Sequence, residues 1–213
     1  MIDLKVLIFN PFFVNTFLLH STNGDCILID PAFYTPAEKT SIDQYISFQK
    51  LTLRACYCTH GHLDHLLGAN HLQQKYKIPV YLHASDHFLA TDIHSFSSIF
   101  GIAINEKPNI EALDMTHQVI NLDDEKITLI HVPGHSPGSV AYYSETNKFL
   151  ISGDVLFNGS IGRSDLPGGD YNQLTEAIKK KLMVLDPATI VYPGHGNSTT
   201  IGKEKQTNPY LQE

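Results

Sequence analysis

Cysteine is scarce in this sequence: Cys26, Cys56 and Cys58 are the only three. Their odd number and the lack of a Cys-x-x-Cys spacing exclude a disulfide framework, a thiolate zinc site and a paired redox motif. Cys56 and Cys58 stand two apart in a strand-like run, so both face one side and read as buried core thiols. No apolar run approaches ~18 residues, which excludes a helical membrane span. Basic residues are outnumbered, 15 Lys+Arg against 22 Asp+Glu, for a net charge of −7. That balance speaks against nucleic acid held on a basic face. No Gly-x-Gly-x-x-Gly follows the first strand, so a dinucleotide site lacks support. There is no internal repeat, low-complexity segment or Gly/Ser linker.

With 42% hydrophobic and 17% charged residues, the composition is that of a globular chain. A chain of 213 residues buries about 70% of its unfolded surface without staples. One domain over residues 1–213 is expected. The opening MIDLKVLIFN alternates like a strand and has no small-residue cleavage site, so a cytoplasmic protein is expected.

Histidine is abundant, with twelve residues. It is the commonest metal ligand and titrates near neutrality. Four potential ligands crowd one segment, Thr59-His60-Gly61-His62-Leu63-Asp64-His65, between a predicted strand, Leu53–Cys58, and a predicted helix, Leu63–Tyr76. His60 and His62 are two apart on extended chain and project to one side. Three more short loops follow predicted strands: Pro133-Gly134-His135, Ser152-Gly153-Asp154 and Pro193-Gly194-His195. Proline and glycine flanking the lone histidines fix the backbone and permit close approach. Five His and two Asp suit Zn²⁺, with Fe or Mn as alternatives. Seven ligands exceed the needs of one catalytic ion and fit two ions sharing a carboxylate.

The other elements are predicted as strands near residues 5–10, 14–21 and 26–31, with a turn at Asn23-Gly24, and a helix over Pro36–Lys50 carrying Ile42, Tyr45 and Ile46. Val80–His83 reads as a strand and residues 84–109 as a helical insertion or flap. Strands follow over His117–Leu122, Lys126–Val132, Ser139–Ser144, Lys148–Ser152 and Thr189–Tyr192, with a helix over Tyr171–Leu185 and a short one from Thr200. Hairpin turns at Asn23-Gly24 and Glu145–Asn147 speak for antiparallel pairs, hence two packed sheets with outer helices rather than a doubly wound parallel sheet.

Taken in order, THGHLDH, the PGH at His135, the GD at Asp154 and the PGH at His195 resemble the metallo-β-lactamase superfamily, from Val14 to about Tyr210. The resemblance implies an α/β fold, an αββα sandwich of two mixed β-sheets. Gly153–Phe157, Ile161–Asp170, Thr199–Gly202 and Asn208–Leu211 look like the glyoxalase II-like branch, in its short bacterial form. By resemblance, His60, His62 and His135 hold one metal, Asp64, His65 and His195 a second, and Asp154 bridges them. Asp30 matches an aspartate that supports the ligand loop; bottom-up it reads equally as a turn former before Pro31. Arg163 matches a basic position near the substrate, and reads otherwise as a surface ion pair. Full-length glyoxalase II carries a C-terminal helical domain and a tyrosine after the last PGH; here the segment reads His195-Gly196-Asn197, and no such domain is expected.

The implied activity is hydrolysis of a small thioester, S-lactoylglutathione-like, or a related ester. Two Zn²⁺ lower the pKa of a shared water toward ~7, with Asp64 and Asp154 as the catalytic carboxylates. A mononuclear-iron persulfide dioxygenase is the alternative, using His60, His135 and Asp154 beside an Arg163–Asp165 segment typical of that group. A non-catalytic metal-binding module is the third. The expected partner is a small-molecule substrate, without nucleic acid or membrane, and the sequence leaves the oligomeric state open.

Overall fold

A computed structural model describes residues 2–93, 97–98, 101–104 and 106–212. The first sheet runs in sequence order through β1 (Asp3–Phe9), β2 (Val14–His20), β3 (Asp25–Ile29), β4 (Thr52–Tyr57), β5 (Val80–Leu82) and β6 (Ile110–Ala112). Its first three strands are antiparallel neighbours; β3 to β6 are parallel. The second sheet is built from β7 (Val119–Leu122), β8 (Glu125–His131), β9 (Val140–Ser144), β10 (Phe149–Gly153), β13 (Ile190–Pro193) and β14 (Thr199–Thr200). There β10 and β13 are parallel and the other pairs antiparallel. A small ribbon pairs β11 (Leu156–Phe157) with β12 (Ser160–Ile161).

Period-two alternation explains why the sheets stack. Phe17 and Leu19 of β2, Ile27 and Ile29 of β3, Tyr142 of β9 and Phe149 and Ile151 of β10 meet between the sheets. Their neighbours point the other way. Leu18, Leu28 and Cys56 pack under α1 (Pro36–Phe48) and α2 (Ala69–Tyr76), with Ile42, Ile46 and Leu72. Ala141, Leu150 and Val191 pack under α4 (Tyr171–Ala177) and α5 (Ile201–Thr207), with Leu174 and Ile201; α3 (His87–Thr91) lies between β5 and β6 in the chain. Two mixed sheets with helices outside make an α/β metallo-β-lactamase fold. The three cysteines are buried and free, as expected, and burial pushes the Cys26 thiol up to about 12.

Local signals set the helix starts. Thr35 and Glu38 form a reciprocal capping box at α1, with Pro36 in its first turn. Two expected helices are corrected. The run Leu63–Tyr76 is a 3₁₀ turn, Leu63–His65, then α2, because the Gly68 N–H is drawn to the Pro31 carbonyl at 2.6 Å. The run Tyr171–Leu185 leaves α geometry for a π-helical turn at Ile178–Leu182. In the expected 84–109 insertion, Ala84–Asp86 is a 3₁₀ turn and His87–Thr91 is helical, while residues 94–96, 99, 100 and 105 lie outside the described residues. Strands β6, β11, β12 and β14 are too short to show periodicity and escape sequence reading. No helix among the described residues is long and apolar enough to cross a membrane.

Candidate metal centre

Loops at the same end of both sheets converge. His60, His62, Asp64 and His65 follow β4, His135 follows β8, Asp154 follows β10, and His195 follows β13. The two sheets are tied there: Val14 of β2 bridges to His195, and the Asn15 side chain donates to the carbonyls of Pro193 and Gly196 at 2.9 and 3.0 Å. All seven residues expected from the sequence meet. His60, His62 and His135 form one group, Asp64, His65 and His195 another, and Asp154 joins His60 and His65, with the ligand atoms of each group within 4.8 Å of one another.

Asp154 faces both groups. Its Oδ1 lies 3.6 Å from His65 Nε2, and its Oδ2 lies 3.8 Å from His135 Nε2 and 3.4 Å from His195 Nε2. Asp64 Oδ2 lies 3.4 Å from His195 Nε2 and 3.8 Å from His65 Nε2. His62 Nδ1 stands 3.0 Å from His135 Nε2.

The second ring nitrogens are tied back. His65 Nδ1 donates to Asp30 Oδ2 at 2.9 Å, His135 Nδ1 to the Arg163 carbonyl at 2.7 Å, and His195 Nδ1 to the Phe12 carbonyl at 2.9 Å. The Thr59 hydroxyl donates to Asp30 Oδ2 at 2.8 Å, so at 3.0 Å it accepts from His60 Nδ1. A neutral imidazole tied at Nδ1 turns its Nε2 lone pair inward, the arrangement a metal-binding histidine needs. Buried polar atoms without a partner are costly. Here His60 Nε2, His62 Nε2, His65 Nε2 and Asp154 Oδ1 are buried with no hydrogen-bond partner. Four such atoms in one cluster of imidazoles and carboxylates fit a divalent cation, which would satisfy them.

The charges sort within the cluster. Burial, reinforced by neighbouring imidazoles, holds His60 well below the usual histidine range and lowers His62 to about 4. Burial also opposes charge on His65, but the carboxylates of Asp30, Asp64 and Asp154 prevail and raise it to about 9. His195 resists the same burial through Asp154 and Asp64 and rises to about 10. Asp154 and Asp64 stay ionised: His65 and His195 outweigh the burial that would neutralise them.

Asp30 is buried, has a left-handed backbone with φ 56°, and accepts from the Thr59 N–H at 2.7 Å besides Thr59 Oγ1 and His65. It is thus both a turn residue and a support for the ligand loop. The Arg163 guanidinium is engaged by Asp165, with two hydrogen bonds of 2.8 Å on exposed surface. Its side chain still lines a cavity of about 230 Å³ beside the cluster, walled by Phe12, Leu63, Leu166 and Pro167. Leu63 lies inside THGHLDH and Leu166 and Pro167 inside the Ile161–Asp170 segment, but sequence reasoning gave none of the four walls a place in a cavity. Within the 84–109 insertion, Ile102 is buried in the core beneath α1 and α2.

Asp86, which reads with Ser85 as a possible cap of a short helix, has no sequence signal that places it at the site. It is buried and accepts from the Gly61 N–H at 2.9 Å, Ser136 Oγ at 2.6 Å and the Gly138 N–H at 2.6 Å. Gly134-His135-Ser136-Pro137-Gly138 also spells the Gly-x-Ser-x-Gly of a serine nucleophile elbow. Ser136 is fully buried and its hydroxyl is spent on Asp86, so it presents no nucleophile. Away from the cluster, His71 pairs with Asp43, His87 lies 3.2 Å from the Leu82 carbonyl, and His83 stacks on His131; His94 lies outside the described residues.

The chain is similar to known proteins along most of its length. The probable metallo-hydrolase YqgX of Bacillus subtilis is 36% identical over 203 residues, 94% of this chain and 93% of its own. Hydroxyacylglutathione hydrolase GloC of Haemophilus influenzae is 33% identical over 216 residues, 98% of each chain. The crystal structure of TTHA1623 in a di-iron-bound form matches with a TM-score of 0.85 and 35% identity, over 97% of this chain and 100% of that one. Residues 9–195 fit the family model itself, from the end of β1 to the last histidine of the cluster. The four ligand-bearing loops all fall within that match, and the chain belongs to the metallo-beta-lactamase superfamily.

Proposed function

We propose that this metal-dependent hydrolase cleaves a small thioester, or a related ester, in the manner of the glyoxalase II-like branch. The observation that carries the reading is the pair of histidine groups sharing Asp154, with four buried atoms that lack a hydrogen-bond partner. His60, His62 and His135 would hold one divalent ion, Asp64, His65 and His195 a second, and Asp154 would serve both. Bound ions of this kind supply Lewis acidity and lower the pKa of water toward ~7. Zn²⁺ suits the donor set; Fe and Mn are accepted by the same atoms.

The chain's own residues do the rest. The ties from Asp30, the Arg163 carbonyl and the Phe12 carbonyl hold His65, His135 and His195 with Nε2 inward. Phe12, Leu63, Leu166 and Pro167 form the wall against which an acyl group packs. That cavity, about 230 Å³, suits a small acyl group. Asp64 and Asp154 stay ionised beside the reacting carbonyl. The relationship to GloC supports the thioester class, and its name includes glutathione as the thiol half.

A persulfide dioxygenase would use one iron on His60, His135 and Asp154. That role leaves Asp64, His65 and His195 without employment, so the hydrolase is preferred. Metal analysis and a thioester panel test the reading. Two ions per chain and hydrolysis lost by roughly a hundredfold or more in His60→Ala or Asp154→Ala are expected, given that even outer supports of metal sites cost 10–100-fold. Oxygen uptake on a persulfide with one iron per chain would replace it, and a flat screen would leave a binding module.

A further inference from the structure

We infer that Asp86 is a positioning residue: its carboxylate locks together the two loops that carry His60, His62 and His135, and so sets how tightly that group holds a cation. The inference rests on the proposed reading that this histidine group binds metal.

Asp86 ends the 3₁₀ turn Ala84–Asp86, far in sequence from both loops, and its own N–H donates to the His83 carbonyl at 2.9 Å. Among the described residues its carboxylate has three hydrogen-bond donors, none of them cationic. Oδ2 takes the Gly61 N–H and Ser136 Oγ, and Oδ1 takes the Gly138 N–H. Gly61 sits between His60 and His62, and Ser136 follows His135. One buried carboxylate therefore grips the chain beside all three imidazoles, with no hydrogen bond to any of them among those described.

The approach is close enough to dictate residue type. A Cβ on Gly61 would stand 2.8 Å from the Asp86 carbonyl, and one on Gly138 2.7 Å from Asp86 Cγ. Real Cβ atoms do not approach so near, so glycine at both places is the counterpart of Asp86. The network is closed by Ser139, whose Oγ lies 2.7 Å from Ser136 Oγ and accepts from the Ser136 N–H at 3.2 Å. A buried carboxylate satisfied on both oxygens holds its partners in one geometry; losing it leaves three donors unpaired. Metal ligands are sensitive to such supports, whose removal typically costs 10–100-fold in affinity.

The test compares Asp86→Asn and Ser136→Ala with Glu204→Gln in the full chain. Glu204 is an equally buried carboxylate with three donors, the Gly159 N–H at 2.9 Å, Thr199 Oγ1 at 2.5 Å and Asn208 Nδ2 at 2.8 Å. It matches Asp86 in kind without gripping a histidine loop. Zinc affinity is read by competition with a chromophoric chelator, beside urea unfolding. Asp86→Asn should weaken the binding of one zinc by roughly 10–100-fold, and Ser136→Ala, which removes a single donor, by less. Glu204→Gln should lose stability with zinc affinity within about twofold.

Wild-type zinc affinity in both Asp86→Asn and Ser136→Ala overturns the inference, as does an equal loss in Glu204→Gln. If Asp86→Asn does not fold, unchanged zinc affinity in Ser136→Ala overturns it alone. Wild-type protein that binds no Zn²⁺, Fe²⁺ or Mn²⁺ overturns the proposed function itself, and this inference with it.

Discussion

Replacing Asp30 by Asn separates its two roles. Asparagine is among the few residues at ease with a left-handed backbone, so the turn at φ 56° persists. What changes is hydrogen bonding. Asp30 accepts three donors: the Thr59 N–H at 2.7 Å, Thr59 Oγ1 at 2.8 Å and His65 Nδ1 at 2.9 Å. The amide keeps one oxygen, which can stay on the Thr59 N–H. Its NH₂ then faces the Thr59 hydroxyl and the His65 N–H. The hydroxyl can rotate, but then it no longer accepts from His60 in the same way. His65 cannot escape by moving its proton, because in the metal-free protein the Nε2 aimed at Asp154 and Asp64 already carries one. One or two buried donors are left mismatched, at ~1–3 kcal/mol each, so the stability loss should be about 2–4 kcal/mol. Metal affinity should fall about 10–100-fold, ~1.4–2.7 kcal/mol. Urea unfolding of chelator-treated protein gives the first number, and zinc competition against a chromophoric chelator gives the second. Wild-type zinc affinity in a folded Asp30→Asn protein would refute the orienting role and leave Asp30 as a turn former.

Metal-free protein should be most stable near neutral pH. Below 6.5 the unfolded chain takes up protons that folded His60 and His62 refuse, so stability rises with pH through the window from about 4. Above 6.5, folded His65 and His195 keep protons that the unfolded chain releases, so stability falls as pH climbs toward about 9–10. Thermal midpoints across pH 4–10 after chelation check this, and a monotonic profile contradicts it. The same two protonated rings mean that metal uptake at pH 7 should expel about two protons, measurable by calorimetry in buffers of different ionisation enthalpy. Tyr142→Phe removes a buried hydrogen bond of 2.8 Å to the Cys58 carbonyl and should cost about 1–1.5 kcal/mol in urea unfolding. Glu38→Ala dissolves the α1 capping box and frees the Asn10 N–H it accepts at 2.7 Å, an expected loss of about 1–2 kcal/mol.

The seven cluster residues were legible because metal-binding chemistry is local in type: histidine and aspartate in short Pro- and Gly-flanked loops directly after strands. The strands β2, β3, β9 and β10 were legible too, as short apolar runs bounded by turns, but which side chains face the other sheet and which face helices was left to the fold. Where local pattern and distant contact compete, the pattern misleads. The apolar spacing of Leu63–Tyr76 suits one helix, but the Gly68 N–H finds Pro31 instead of a helical carbonyl. Arg163 reads as a basic position near the substrate or as a surface ion pair; its guanidinium meets Asp165, and the tie of its main-chain carbonyl to His135 is visible only in the structure.

The sequence by itself carried the donor set, the resemblance to the superfamily in its ordered motifs, and the two-sheet layering in its strands and hairpin turns, because motifs, turns and ligand type are properties of short segments. Tertiary structure alone decided that Asp154 faces both histidine groups, that Phe12 ties His195, and that Asp86 joins two loops. Each of these depends on residues tens to nearly two hundred positions apart being brought within hydrogen-bonding or ion-pair range, as with the 183 positions between Phe12 and His195. No local spacing encodes such a meeting; only the stacking of the two sheets brings their loop ends together.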